Sequence, residues 1–169
     1  MKAVKLVDSI KLPQTILILN DIRSIINVGA IFRTADAVGV GQIILSGVSP
    51  APIDRFGRVR GDFAKASLGS EHSVPWEQVE NIAKVIKDLK KQGYTIIAIE
   101  QAKTSIHFKK YSLKKNQKVV IIPGNEVDGV PKGILKLADV ILELPMRGMK
   151  ESLNVSVATG IILYHLLDN

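Results

Sequence analysis

Residues 118–130 read KVVIIPGNEVDGV, an unbroken apolar run that ends in a proline and opens into a polar loop holding Gly124 and Gly129. A short run this rich in Val and Ile suits a strand buried on both faces, and such strands belong to parallel sheets covered by helices. Similar runs lie at 15–19, 42–46, 94–99 and 140–144, the present one spanning 118–122. Between them, patterns of helical period cover 25–38, 76–91, 131–138 and 152–167. Strands alternating with helices predict an α/β fold, a mainly parallel sheet with helices on both faces and ligands at the carboxyl ends of the strands. In 76–91, Trp76, Val79, Ile82, Ala83, Val85, Ile86 and Leu89 share one helical face while Lys84, Lys87, Lys90 and Lys91 look away, which predicts one amphipathic helix. In 152–167, Leu153, Val157, Ile161 and Tyr164 form one stripe and Val155, Ala158, Ile162 and Leu166 another. A helix apolar nearly all round is buried in its own domain or shared with a partner chain, and in a chain this small the reading favours a dimer contact.

The chain has 169 residues, a length that predicts a single domain over 1–169. Thirteen Gly and seven Pro are ordinary proportions, and without repeats or low-complexity tracts the fibrous, solenoid and disordered classes are disfavoured. There is no cysteine, which excludes disulfides, thiolate metal sites and cysteine nucleophiles and suggests a cytoplasmic protein. Lys2, Lys5 and Lys11 interrupt the apolar residues at the start, and no stretch approaches about 18 apolar residues, so neither secretion nor membrane spanning is expected. The net charge of +7 is concentrated: residues 50–118 hold 14 Lys and Arg against 7 Asp and Glu, whereas the rest of the chain holds 9 of each. Such a surface is either a solvated face or a footprint for a polyanion, most often nucleic acid, and charge alone does not decide between them.

Several chemistries are absent. No phosphate-loop pattern exists, and Gly39-Val40-Gly41 lacks a third glycine and precedes a strand. His72, His107 and His165 are far apart in sequence, so surface or structural roles are expected for them and no metal is implied.

Three polar segments at the ends of elements remain. The first, residues 20–36, runs from a strand into a helix and carries Asn27 and Arg33; the second is 123–130; the third, 144–154, links a strand to a helix. Taken singly, each reads equally well as a cap or a Pro/Gly turn, the third ending in a serine N-cap. In this order and at these spacings, however, NVGAIFRTADA, IIPGNEVDGV and LPMRGMKESLNVSVATGIILY resemble the three motifs of the SpoU, or TrmH-type, family of the SPOUT methyltransferase superfamily. The resemblance runs from about Asn20 to Tyr164, and KASLGSE at 65–71 is also similar to the family.

That resemblance implies a deep trefoil knot at the carboxyl end, about residues 118–168, a homodimer, S-adenosylmethionine (SAM) as methyl donor, and transfer to a ribose 2′-hydroxyl of tRNA or rRNA. Matched residue by residue, it implies catalytic roles for Arg33, Asn27, Glu126, Ser152 and Asn154, and a cofactor pocket lined by Gly124, Leu144, Met146, Ser152 and Leu153. A free guanidinium holds its proton to beyond about pH 12 and is a poor base. Arg33 is therefore expected to hold the ribose and its phosphate and to stabilise alkoxide character, leaving the proton to a phosphate or water, while Asn27 and Asn154 hold Arg33 or the ribose. Arg33, Arg55, Arg58, Arg60 and Lys65 are the expected RNA contacts. Many relatives carry an extra RNA-binding domain or helical extensions, whereas only about fourteen residues precede the first strand here. The expectation is no separate RNA-binding domain, with a tRNA loop position fitting best and rRNA next. A noncatalytic RNA-binding or RNA-folding module on the same scaffold is the alternative, disfavoured by the joint presence of Arg33, Glu126, Ser152 and Asn154; a small-molecule methyltransferase is disfavoured by the basic excess.

Overall fold

Every one of the apolar runs becomes a strand of one parallel sheet in the computed structural model, which describes residues 14–168. The segment holding Lys2, Lys5 and Lys11 lies outside the described residues. In chain order the strands are β1 (Thr15–Asn20), β2 (Gln42–Ser46), β3 (Trp76–Val79), β4 (Thr95–Ile99), β5 (Ile106–His107), β6 (Val119–Pro123) and β7 (Val140–Glu143). The helices are α1 (Ile25–Val38), α2 (Gly61–Ser67), α3 (Ser70–Ser73), α4 (Ile82–Lys91), α5 (Lys132–Leu135) and α6 (Val155–Leu167). The sheet order is β3-β2-β1-β6-β4-β7-β5, and all neighbouring pairs run parallel.

Side chains alternate across a strand, so each strand feeds two cores. Leu17, Leu19, Ile43, Leu45, Ile97 and Ile121 pack beneath α1, α2 and α6, whereas Ile16, Ile18, Ile44, Ile96, Val120 and Ile122 pack against α4 and α5. Helices therefore cover both faces. α1 starts where the Ser24 hydroxyl accepts from the Asn27 N–H at 3.2 Å and stops at Gly39, whose φ of 76° is the left-handed turn that a glycine adopts without penalty. Phe32 of α1 meets Phe63 of α2 edge to face at 5.2 Å. The two helices approach so closely that a Cβ on Gly29 would stand 2.5 Å from the Ala66 Cβ.

The helix expected over 76–91 is corrected. Residues Trp76–Val79 are β3, paired with β2 through Ile43↔Trp76, and the helix begins only at Ile82, where the Asn81 side chain accepts from the Lys84 N–H at 3.0 Å. A spacing of three puts two residues on one face of a helix but on opposite faces of a strand. Trp76 accordingly packs into the α1 core and Val79 into the α4 core. The serine cap expected for the last helix is also replaced: α6 begins at Val155 and its N-cap is Asn154. Its buried side is Val155, Thr159, Ile162, Leu163 and Leu166, and the other predicted stripe, Leu153, Val157, Ile161 and Tyr164, is exposed.

The chain runs outward from β1 to β3, returns to lay down β4, and later fills the gap between β1 and β4 with β6. That reversal is a topological switch point, where crevices open at the carboxyl ends of strands. The three polar segments of the sequence all leave the sheet at this edge.

Candidate active site

Asn27 sits in the first turn of α1, buried to 9% exposure, and links the three segments. Its Nδ2 donates to Glu126 Oε1 at 2.8 Å, and its Oδ1 accepts from Asn154 Nδ2 at 3.0 Å. Glu126 lies 99 and Asn154 127 residues further along the chain. An ionised carboxylate only accepts, so the Asn27 amide must turn its NH₂ to Glu126 and its carbonyl to Asn154. Asn154 Oδ1 in turn accepts from the Ser156 N–H at 2.8 Å and its hydroxyl at 2.6 Å, capping α6.

Beside this line of polar groups a cleft of about 650 Å³ opens between the loops after β6 and β7. Gly124, Leu144, Met146, Ser152 and Leu153 all line it, together with Glu126 and Asn154. Glu100, at the end of β4, braces the β6 loop: its Oε2 accepts from the Val130 N–H at 2.7 Å and its Oε1 from the Gln101 N–H at 2.8 Å. A Cβ on Gly124 would lie 2.9 Å from Glu100 Oε2 and 3.0 Å from the Gly129 Cα, so only glycine allows this packing without displacement.

Arg33 stands elsewhere, on the exposed side of α1 and outside the lining of the cleft. Within one chain the Asn27 and Asn154 amides are bonded to each other. Next to Arg33, a shallow groove between α1 and α6 is lined by Ala30, Thr34, Val157, Gly160, Ile161 and Tyr164.

The sequence profile of the SpoU rRNA methylase family matches residues 14–164. The chain belongs to this family. Over 142 residues it is 37% identical to a tRNA (guanosine(18)-2′-O)-methyltransferase of Aquifex aeolicus, covering 82% of this chain and 61% of that protein. Over 151 residues it is 33% identical to a 23S rRNA (guanosine-2′-O-)-methyltransferase of Neisseria meningitidis, covering 89% and 57%. The chain thus spans about three fifths of the length of these curated relatives. Among solved structures, the AdoMet-bound rRNA methyltransferase of Sinorhizobium meliloti superimposes with a TM-score of 0.78 at 30% identity, covering 89% of this chain and 54% of that one.

The basic residues of this SpoU chain are spread over more structure than a loop. Arg55 and Arg58 lie between β2 and α2, Arg60 is the N-cap of α2 and Lys65 lies within it. Asp54 organises the loop, with its Oδ2 2.8 Å from Arg58 Nε. The Arg58 backbone N–H, helped by the Arg58 side chain and the Phe56 N–H against opposing burial, holds the Asp54 carboxyl below the ordinary carboxylate range. Two of the histidines have structural settings, His165 Nε2 lying 2.9 Å from the Tyr111 carbonyl oxygen and His107 accepting from the Lys109 N–H at 3.2 Å, and the third, His72, is exposed beside Glu71. Among the described residues no three His, Asp or Glu side chains group to hold a metal, and no helix is long and apolar enough to cross a membrane. Sequence reasoning passed over Glu100 and Gln101, whose Nε2 donates to the Glu151 carbonyl at 2.8 Å across the cleft mouth. The available signal was their position, polar residues directly after an apolar strand in an α/β chain.

Proposed function

We propose that this chain is a SAM-dependent methyltransferase that modifies a ribose 2′-hydroxyl of tRNA or rRNA. The observation that carries the reading is the Glu126–Asn27–Asn154 line of hydrogen bonds, which ties the first family motif to the two that wall the cleft. The cleft suits the cofactor. Its volume lies in the range of small-molecule sites. Leu144, Met146 and Leu153 offer apolar surface, the glycine-bearing β6 loop offers backbone groups at close range, and Glu100, Glu126 and Glu151 set negative charge around a ligand that carries a sulfonium. When bound, SAM supplies the activated methyl group.

The chain's own residues then have to bind, orient and stabilise. Asn27 and Asn154 hold Glu126 and the start of α6 rigid, so the cleft wall is set before the ligand arrives. Arg33, with a planar fork of donors, holds the ribose and its phosphate and stabilises charge growing on the 2′-oxygen. Because Arg33 is outside the cleft of its own chain, the reading includes a homodimer in which Arg33 serves the cleft of the partner. The exposed stripe Leu153, Val157, Ile161 and Tyr164 beside the α1–α6 groove supports that assembly. We infer a trefoil knot as well: β6 inserted between β1 and β4, followed by β7 and an α6 that packs back on α1, is a chain path that suits one. A cytoplasmic setting accords with an RNA substrate.

The test is labelled SAM with bulk small RNA, followed by mapping of the modified nucleotide and calorimetry of the cofactor. Methyl transfer to a 2′-hydroxyl and one cofactor site per chain are expected, with Gly124→Arg and Leu153→Asp both losing binding. Binding that survives both changes would place the cofactor elsewhere.

A further inference from the structure

The loop between β2 and α2 carries a feature that basic charge alone does not explain. Phe56 is 67% exposed, with Val59 at 62% beside it. Single exposed apolar side chains are ordinary. This ring, however, is flanked by two cations, with Arg55 Cζ 4.7 Å and Arg58 Cζ 5.1 Å from its centroid. The loop is also built to hold it. Ile53 and Val59 form an antiparallel bridge, and the Asp54 carboxylate accepts from the N–H groups of Phe56 at 2.8 Å and Arg58 at 3.0 Å.

The loop that carries the platform starts at the same edge of the sheet as the cleft. The Val48 N–H donates to Asp21 Oδ1 at 3.1 Å and the Ile22 N–H to Ser49 Oγ at 3.0 Å, stapling the start of this loop to the turn after β1. In the sheet, β1 separates β2 from β6. At about 4.8 Å between neighbouring strands, the loop after β2 begins roughly 10 Å from the glycine loop after β6.

We propose that Phe56, between Arg55 and Arg58, is a stacking platform for an unpaired base of the RNA whose ribose enters the cleft. A flat ring with guanidiniums over it matches a nucleotide in both parts, the base stacking on the ring in place of a guanidinium and the phosphate meeting the displaced cation. An apolar protein segment would match only the ring and would leave the Arg55 guanidinium facing it, whereas Arg58 and Arg60 already have Asp54 and Asp62 as counter-charges at 2.8 and 3.5 Å. Because a base in a duplex is already stacked on its neighbours, the platform selects single-stranded or looped targets over duplex ones. The inference rests on the RNA reading above.

The test compares binding of two probes, a ten-nucleotide oligoadenylate and an abasic ribose-phosphate decamer of the same charge, by the intact chain. Wild type is expected to prefer the oligoadenylate. Phe56→Ala should weaken the oligoadenylate roughly five- to hundredfold and leave the abasic decamer within twofold. Phe56→Trp should restore the preference, and the exposed position predicts unchanged thermal unfolding for both variants. A wild type that binds neither probe overturns the RNA reading and the platform together. Equal affinity of wild type for the two probes, or equal losses on both in Phe56→Ala, overturns the platform alone.

Discussion

Asn27 shows why a particular side chain is needed at the centre of the site, because it must donate to Glu126 and accept from Asn154 at once. An aspartate there could not donate to Glu126 and would set two carboxylates against each other. On the proposed function Arg33 has a different task. It lies outside the cleft, so Arg33→Ala is expected to abolish methyl transfer while cofactor affinity, measured by calorimetry, stays within a few-fold. Arg33→Lys should rescue poorly, since a point charge does not reproduce a planar fork; near-normal turnover of the alanine variant would move the catalytic role elsewhere. Glu71 is a structural counterpart. Burial pushes its carboxyl up, but the Ser67 hydroxyl and the N–H groups of Glu71 and Gly69 outweigh it and hold the group below the ordinary glutamate range. A depressed carboxyl contributes stability that is fully present above its unfolded value and is lost as pH falls through its folded value. Glu71→Gln should therefore cost about 1–2 kcal/mol at pH 7 by urea unfolding, with the gap closing as pH falls below the ordinary glutamate range; a pH-independent gap would leave packing as the cause. The residues of the cleft were legible because three motifs matched in order. Glu100 was not, because a brace is defined by the Val130 N–H it meets thirty residues away.

At the scale of elements, β1, β2, β4, β6 and β7 and the alternation were readable from apolar runs, since a strand buried on both faces has no other pattern to show. The short pieces were not. β5 has two residues, and α2 and α3 lie in a stretch too polar and brief for any periodicity. β3 was hidden because Trp76 and Val79 continue the period of α4, and only the Asn81 cap marks the break. The same polar stretch holds Arg55, Arg58, Arg60 and Lys65, which on the RNA reading contact phosphates. Neutralising these four should weaken RNA binding and flatten the logarithmic salt dependence by about 0.7 for each phosphate of a single strand that is no longer paired with a cation. The measurement is a salt titration of affinity for one oligonucleotide. An unchanged affinity and slope would mark the basic excess as a solvated face.

At the scale of the whole molecule, Arg33 lies outside the lining of the cleft and neighbours, along α1, the Ala30 and Thr34 wall of the apolar groove between α1 and α6. The exposed stripe of Val157, Ile161 and Tyr164 on α6 is preceded by exposed Leu153, which lines the cleft, so covering that stripe with a second chain would bring the partner's surface to the site. In a two-fold dimer each interface patch meets its own copy, and both sites are completed together or not at all. This arrangement predicts complementation. Arg33→Ala keeps an intact cleft and Gly124→Arg keeps an intact arginine, and each homodimer should be inactive. Mixed and allowed to exchange subunits at random, about half the dimers contain one chain of each kind. In those, one of the two sites has both a sound cleft and a sound arginine, so roughly a quarter of wild-type methyl transfer should return. Exchange is verified with differently tagged chains. If tagged heterodimers form and no activity appears, each chain completes its site with its own Arg33, and α1 must then move relative to the cleft when RNA binds.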